Sequence, residues 1–103
     1  MDVQYERRRR RVKMARQVRV RPSSPVDKHF EEVRATVSAS PDGLYFTTWR
    51  DAYYQGMRLL ITFPYSSEMS NPEFFGEVVS VDSLSGLRRG VGVRFLTTIA
   101  PMR

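Results

Sequence analysis

Five consecutive arginines, Arg7 to Arg11, are the strongest chemical feature of this 103-residue sequence. The first and last of them form an R-x-x-x-R pair. A guanidinium group can donate paired hydrogen bonds to a phosphate or to the O6/N7 edge of guanine, and it can stack on an aromatic ring. The run therefore predicts either a clamp for a guanine nucleotide or a solvated tail that anchors loosely to RNA or acidic lipid.

A second polar cluster lies in the segment SASPDG, from Ser38 to Gly43. If a strand continues through this segment, Ser38 and Ser40 share one face and present two hydroxyls beside a turn. Gly43 would let a ligand approach the backbone closely. The alternative is a plain hairpin turn, because Pro41 and Gly43 occupy positions that are typical of one.

Alternation along the preceding segment EVRATVSA assigns its two faces. One face is apolar and is expected to point inward: Val33, Ala35 and Val37. The other face is polar and is expected to point outward: Arg34, Thr36 and Ser38. On this pattern the two serines lie on the outside of the domain.

The sequence does not predict catalysis or metal binding. The one histidine, His29, lies in a polar connection, and no serine or carboxylate pair has a catalytic context. There is no cysteine, and metal-ligand spacings are absent. GLRRGVG precedes a strand rather than opening a helix, which excludes a dinucleotide-binding fingerprint. We expect no enzymatic activity, no metal and no cofactor.

The charge separates an N-terminal segment from the remainder of the chain. Residues 1–21 carry eight arginines and one lysine against two acids, a balance of +7. The other 82 residues carry eight basic and nine acidic groups, a balance of −1. A near-neutral body differs from the basic surface expected for duplex DNA, so the pattern disfavours nucleic acid as the partner.

Length and composition are those of one globular domain, with 41% hydrophobic residues. No apolar segment reaches the roughly 18 residues that a membrane span requires, and no secretory signal follows the charged N-terminus. We expect a cytoplasmic monomer without a membrane span.

Six segments have the composition and alternation of strands and are separated by turn signals: QVRVR, EVRATVSA, LYFTT, MRLLITFP, EFFGEVVSVDS and VGVRFL. A phase shift near Gly76 predicts a β-bulge. Because no convincing helix interrupts the series, the sequence favours an all-β fold, either a small closed barrel or a sandwich. The three aromatics Trp49, Tyr53 and Tyr54 are expected to plug or cover a barrel, the alternative being a patch for a partner protein.

The order of these features resembles a PilZ domain over residues 6–97. An R-x-x-x-R pair precedes the first strand, an S-x-S-x-x-G lies about thirty residues on at a strand–turn–strand, and GMRLLITFP and RRGVGVRFL follow. The resemblance implies a six-stranded antiparallel β-barrel at residues 16–98. A flexible Arg-rich arm at residues 1–15 and a C-terminal tail at residues 99–103 would flank it.

The resemblance also implies a receptor for cyclic di-GMP that signals to an effector protein. Arg7 and Arg11 would bind phosphates and guanine edges, and Ser40 and Gly43 would meet the ligand on the outer face of the barrel. Ser38 stands where the family has Asp or Asn. One hydroxyl in place of a forked acceptor predicts affinity weaker by about tenfold or more.

Two other functions stay open. One is a degenerate PilZ scaffold that binds a protein partner without the nucleotide, which the Ser38 substitution would explain. The other is a small barrel that binds single-stranded nucleic acid through its basic arm and aromatic side chains.

Overall fold

The computed structural model describes residues 12–13, 15–67 and 71–99, and within these ranges every regular element is a β-strand. Seven strands have the bounds β1 Val12–Lys13, β2 Gln17–Pro22, β3 Glu32–Ser40, β4 Gly43–Thr48, β5 Arg58–Thr62, β6 Glu73–Ser83 and β7 Arg89–Ile99. Neighbours pair antiparallel in the order β1-β3-β2-β5-β6-β7-β4. Pairing of β3 with β4 closes β2 to β7 into a six-stranded barrel, which confirms the predicted fold class.

The short strand β1 lies within the segment predicted as an arm. It pairs with the end of β3, with Val12 opposite Ala39 and Lys13 opposite Ser38. β7 likewise continues to Ile99, one residue into the predicted tail. The division into arm, barrel and tail at residues 15 and 98 stays a prediction.

The barrel interior is filled by the apolar side chains of alternating strand positions. The fully buried members include Val18, Val20, Leu44, Phe46, Leu59, Ile61, Val78 and Val91. Each such side chain contributes about 1.5–3 kcal/mol when it leaves water. The alternating apolar residues of the segments QVRVR, MRLLITFP and VGVRFL lie in this core.

The predicted faces of β3 are wrong from Val33 to Val37. Val33 and Val37 are 42% and 45% exposed, whereas Thr36 is only 3% exposed. Arg34 pairs with the buried Val18, so it points inward as well. The interior tolerates these polar groups because they are hydrogen-bonded: Arg34 Nε donates to the Thr47 carbonyl at 2.7 Å.

A bulge at Val37 restores the outward direction of the serines. Thr36 pairs with Phe46 and Ser38 with Tyr45, so two steps along β3 match one step along β4. The extra residue inverts the alternation, as bulges do. Ser38 and Ser40 therefore share the outer face, as predicted, although the strand before them has the opposite phase. Register shifts in β6 also occur at the predicted position beside Gly76 and again near Val79.

Glu32, at the start of β3, anchors a plug at the barrel end opposite the β3–β4 turn. Its carboxylate accepts hydrogen bonds from the Thr48 hydroxyl and the Tyr53 hydroxyl, both at 2.7 Å. The Tyr53 ring packs edge-on against Phe30 and Phe46. Tyr53 thus plugs the barrel as expected, while Trp49 and Tyr54 are exposed.

Candidate ligand-binding site

The strand register arranges outward-facing side chains in rows across the barrel, because directly opposed residues of antiparallel strands share a face. The first row crosses β3, β4, β7, β6 and β5: Ser40, Gly43, Arg94, Glu77 and Arg58. The second row crosses β1, β3, β4, β7 and β6: Lys13, Ser38, Tyr45, Gly92 and Ser80. The three predicted site residues that the structure describes therefore lie together, on two adjacent rows.

Ser40 has a local structural role at the β3–β4 turn. Its hydroxyl oxygen accepts a hydrogen bond from the Asp42 backbone N–H at 3.1 Å. The hydroxyl hydrogen is not used in that bond, so Ser40 keeps a donor for a ligand acceptor. The hairpin interpretation and the binding interpretation of this serine are thus compatible.

Gly43 is required by the close approach of β4 to β7. A Cβ at this position would collide with the backbone carbonyl of Val93. Because the colliding atom is backbone, the clash could be relieved only by moving a strand. Gly43 also leaves the first row without a side chain between Ser40 and Arg94.

Tyr45 lies over the glycines of β7. A Cβ on Gly90 would collide with the Tyr45 hydroxyl, and one on Gly92 would lie 3.6 Å from its Cδ1. The hydroxyl donates a hydrogen bond to Asp82 at 2.8 Å. The ring is therefore directed from the second row toward Asp82 and away from the first row.

The first row carries a chain of alternating charges. Arg94 Nη2 donates to Glu77 Oε1 at 2.6 Å, and Arg58 is the register partner of Glu77 on its other side. This hydrogen bond from Arg94 is the main reason that the pKa of Glu77 lies below its usual value, with the positive charge of Arg58 acting in the same direction. Glu77 is therefore ionised at neutral pH.

Arg7 and Arg11, the other predicted ligand-binding residues, lie outside the described residues. Residue 12 follows Arg11 directly in the chain, and it pairs with Ala39, between Ser38 and Ser40. Lys13 is exposed in the second row beside Ser38. The arginine run is thus joined to the barrel at the two serines.

Sequence inspection did not single out Lys13, Tyr45 or Arg94. The alternation that buries Val91 and Val93 does place Arg94 outward, so its face was available from the pattern. The position of Arg94 opposite Gly43 could not be read from the pattern, because the pairing of β4 with β7 joins segments about fifty residues apart.

Two solved structures share this architecture. One is the Bacillus subtilis inhibitor of motility MotI/DgrA, with a TM-score of 0.60 and 16% identity over 87% of this chain and 42% of that one. The other is Borreliella burgdorferi PlzA in complex with c-di-GMP, with a TM-score of 0.56 and 16% identity over 97% of this chain and 48% of that one. The chain has a PilZ-like fold. At this identity the likeness establishes the fold of the barrel.

This PilZ-like barrel spans less than half the length of either similar structure. No protein-family model and no curated protein matches the sequence. In the described part of the chain, no helix is long and apolar enough to cross a bilayer. The same residues contain no group of three or more histidine, aspartate or glutamate side chains arranged to hold a metal ion.

Proposed function

We propose that this protein is a cyclic di-GMP receptor that folds its arginine-rich N-terminus over the ligand and thereby signals to a partner protein. The observation that carries the proposal is the pairing of Val12–Lys13 with Ala39–Ser38. It joins the arginine run to the barrel beside two outward serines. The complex of PlzA with c-di-GMP, on a similar barrel, supports the choice of ligand.

Each proposed contact matches the chemistry of a guanine dinucleotide. Arg7 and Arg11 supply forked donors for the phosphates and for the O6/N7 edges of guanine. Ser40 donates its remaining hydroxyl hydrogen, and Gly43 admits the ligand close to the backbone. About four charge-assisted hydrogen bonds, each worth about 1.5–3 kcal/mol, leave micromolar affinity after the costs of ordering are subtracted.

The receptor would act without chemistry of its own. Ligand binding fixes the N-terminal residues against the barrel and creates a composite surface that an effector protein recognises. A cytoplasmic location follows from the role of cyclic di-GMP as an intracellular messenger. No metal or cofactor enters this scheme.

Ser38 favours a second candidate, a PilZ-like scaffold that binds a protein partner without the nucleotide. Its side chain is 9% exposed and offers one hydroxyl where the family has a forked acceptor. Under this alternative the outer face would contact a protein directly. Binding of the nucleotide by the wild-type chain separates the two candidates.

Calorimetric titration with cyclic di-GMP tests the proposal. We expect micromolar binding by the wild type and binding weakened by about tenfold or more in Arg11→Ala, because one forked contact is lost. Arg21→Ala, which removes the same charge from β2, serves as the matched control and should bind as the wild type does. No heat at high micromolar ligand would defeat the proposal.

A salt series with a polynucleotide distinguishes the nucleic-acid alternative. Binding to a polymer loses affinity steeply with salt because it releases counterions from many phosphates. Polymer binding that is tighter than cyclic di-GMP binding at 150 mM salt, roughly the physiological ionic strength, would favour that alternative.

A further inference from the structure

We propose that Arg94 is a further ligand-binding residue, which exchanges its contact with Glu77 for a phosphate or guanine edge of the same cyclic dinucleotide. The inference rests on the proposed function and extends the site from β3 across β4 to β7. It concerns residues outside the arginine run and the S-x-S-x-x-G segment.

Arg94 shares a row with the predicted site residues. It lies opposite Gly43, which in turn lies opposite Ser40. Two strand spacings, about 10 Å, therefore separate the backbones of Ser40 and Arg94. The residue between them has no side chain, so no side chain separates the Ser40 hydroxyl from the Arg94 guanidinium along the row.

The aromatic side chain of the neighbouring row is turned away from Ser40 and Arg94. Tyr45 leans toward Asp82, to which its hydroxyl is hydrogen-bonded at 2.8 Å. Its ring lies over Gly90 and Gly92 rather than over Gly43. The Tyr45 hydroxyl is therefore directed toward β6 and not toward Ser40 or Arg94.

Arg94 can leave Glu77 at small cost. The Arg94 side chain is 58% exposed and the Glu77 side chain 22%, and an ion pair that solvent reaches from one side contributes modestly to stability. Glu77 also has Arg58 as its register partner on the other side, so its carboxylate keeps a cationic neighbour when Arg94 turns away. A phosphate offers the departing guanidinium two acceptor oxygens in the same forked geometry.

Glu77 therefore competes with the ligand for the Arg94 guanidinium. In the unliganded protein its carboxylate holds the guanidinium on the β6 side of the row. Removing the carboxylate charge frees Arg94 for the ligand, whereas removing the guanidinium deletes the contact. The two substitutions should change ligand affinity in opposite directions.

Titration of Arg94→Ala, Glu77→Gln and the double variant with cyclic di-GMP tests this exchange. We expect affinity to fall by about tenfold in Arg94→Ala and to rise by about threefold in Glu77→Gln, as contacts to charged groups predict. In the double variant the threefold gain from Glu77→Gln should vanish, because Glu77 affects ligand affinity only through Arg94. Arg21→Ala, which removes an equal charge from β2 and outside this row, is the control and should change affinity by less than about twofold.

The outcomes separate this inference from the proposed function. If the wild type binds and Arg94→Ala binds equally well, the exchange is refuted while the receptor stands. If Glu77→Gln strengthens binding to the same degree with and without Arg94, the effect is general electrostatics and the exchange is again refuted. If the wild type does not bind at all, the proposed function itself fails. Thermal unfolding of each variant is expected to change little, because the Arg94 side chain is 58% exposed and the Glu77 side chain is 22% exposed, and it excludes misfolding as the cause.

Discussion

At the scale of single residues, the serines of the outer face show how a turn and the proposed binding site can use the same atoms. Ser40 accepts the Asp42 backbone N–H and so stabilises the hairpin, yet it retains a hydroxyl hydrogen. Ser38 pairs with Lys13 on one side and Tyr45 on the other. Ser38 thus lies where the predicted arm joins the barrel, and its substitution tests the proposed contact with the ligand.

Ser38→Asn should strengthen cyclic di-GMP binding by about tenfold, because an amide offers an acceptor and two donors where serine offers one hydroxyl. Calorimetry at neutral pH measures the change. Ser38→Thr, which adds bulk but no second polar atom, is the control and should not gain affinity. An asparagine variant that binds no better than threonine would show that position 38 does not touch the base.

At the scale of elements, the strands were predictable and the faces of β3 were not. Period-two alternation located six strands and the bulge beside Gly76, because alternation is a local property of the chain. The faces of β3 were assigned from hydrophobicity, which assumes that polar residues point outward. That assumption failed because Glu32 finds its partners on Thr48 and Tyr53, which no local pattern places near it.

The candidate site was likewise predictable only in part: its segment could be located, but its neighbours in the fold could not. The direction of Ser38 was correct only because the Val37 bulge, which has no sequence signal of its own, reversed the misassigned alternation. The positions of Arg94 and Tyr45 depend on pairing between distant strands. Tertiary register, rather than any motif, brings those two side chains to the serines.

Two valine substitutions, one in β3 and one in β2, test the corrected outer face of β3. Val33→Thr should change the free energy of unfolding by less than about 0.5 kcal/mol, because Val33 is exposed on the outer face. Val18→Thr should cost about 1–3 kcal/mol, because it buries an unpaired hydroxyl among apolar side chains. Urea unfolding measures both, and threonine keeps the strand preference of valine. Equal losses of unfolding free energy would indicate that Val33 is buried like Val18, as the predicted alternation of β3 had it.

At the scale of the whole molecule, the charge of the barrel is largely compensated within the barrel. Four arginines of the described residues have carboxylate partners, in the pairs Arg19–Glu31, Arg50–Glu32, Arg89–Asp51 and Arg94–Glu77. A groove that follows a nucleic-acid backbone needs a continuous uncompensated basic surface. The excess charge instead belongs to the N-terminal segment, which suits a small anionic ligand bound at one place.

We expect the two ends of the barrel to have different roles, one in the stability of the fold and the other in ligand binding. Glu32 and Ser40 occupy opposite ends of β3, about 25 Å apart in an extended strand. The plug formed around Tyr53 is therefore remote from the serines. A change at the plug should alter the stability of the barrel and leave ligand affinity near neutral pH unaltered.

Tyr53→Phe tests this division of roles through the pH dependence of the free energy of unfolding. Burial, and then the hydrogen bond to Glu32, raise the pKa of the Tyr53 hydroxyl above its usual value of 10.0. The folded state thus holds this proton more tightly than the unfolded chain does. The associated stability is fully present below pH about 10 and is lost as pH rises above it, by up to about 1.4 kcal/mol per pH unit.

The phenylalanine variant should therefore be less stable than the wild type at pH 8, by about 1–3 kcal/mol, because Glu32 loses a buried donor. Its free energy of unfolding should then fall less steeply than that of the wild type between pH 10 and pH 11, a window just above the unperturbed tyrosine pKa of about 10. Tyr54→Phe removes an exposed hydroxyl whose pKa is also raised, by its hydrogen bond to Asp27, and should flatten the fall less than Tyr53→Phe does. Parallel slopes for wild type and Tyr53→Phe, or loss of cyclic di-GMP binding at pH 8, would show that the plug and the site are not independent.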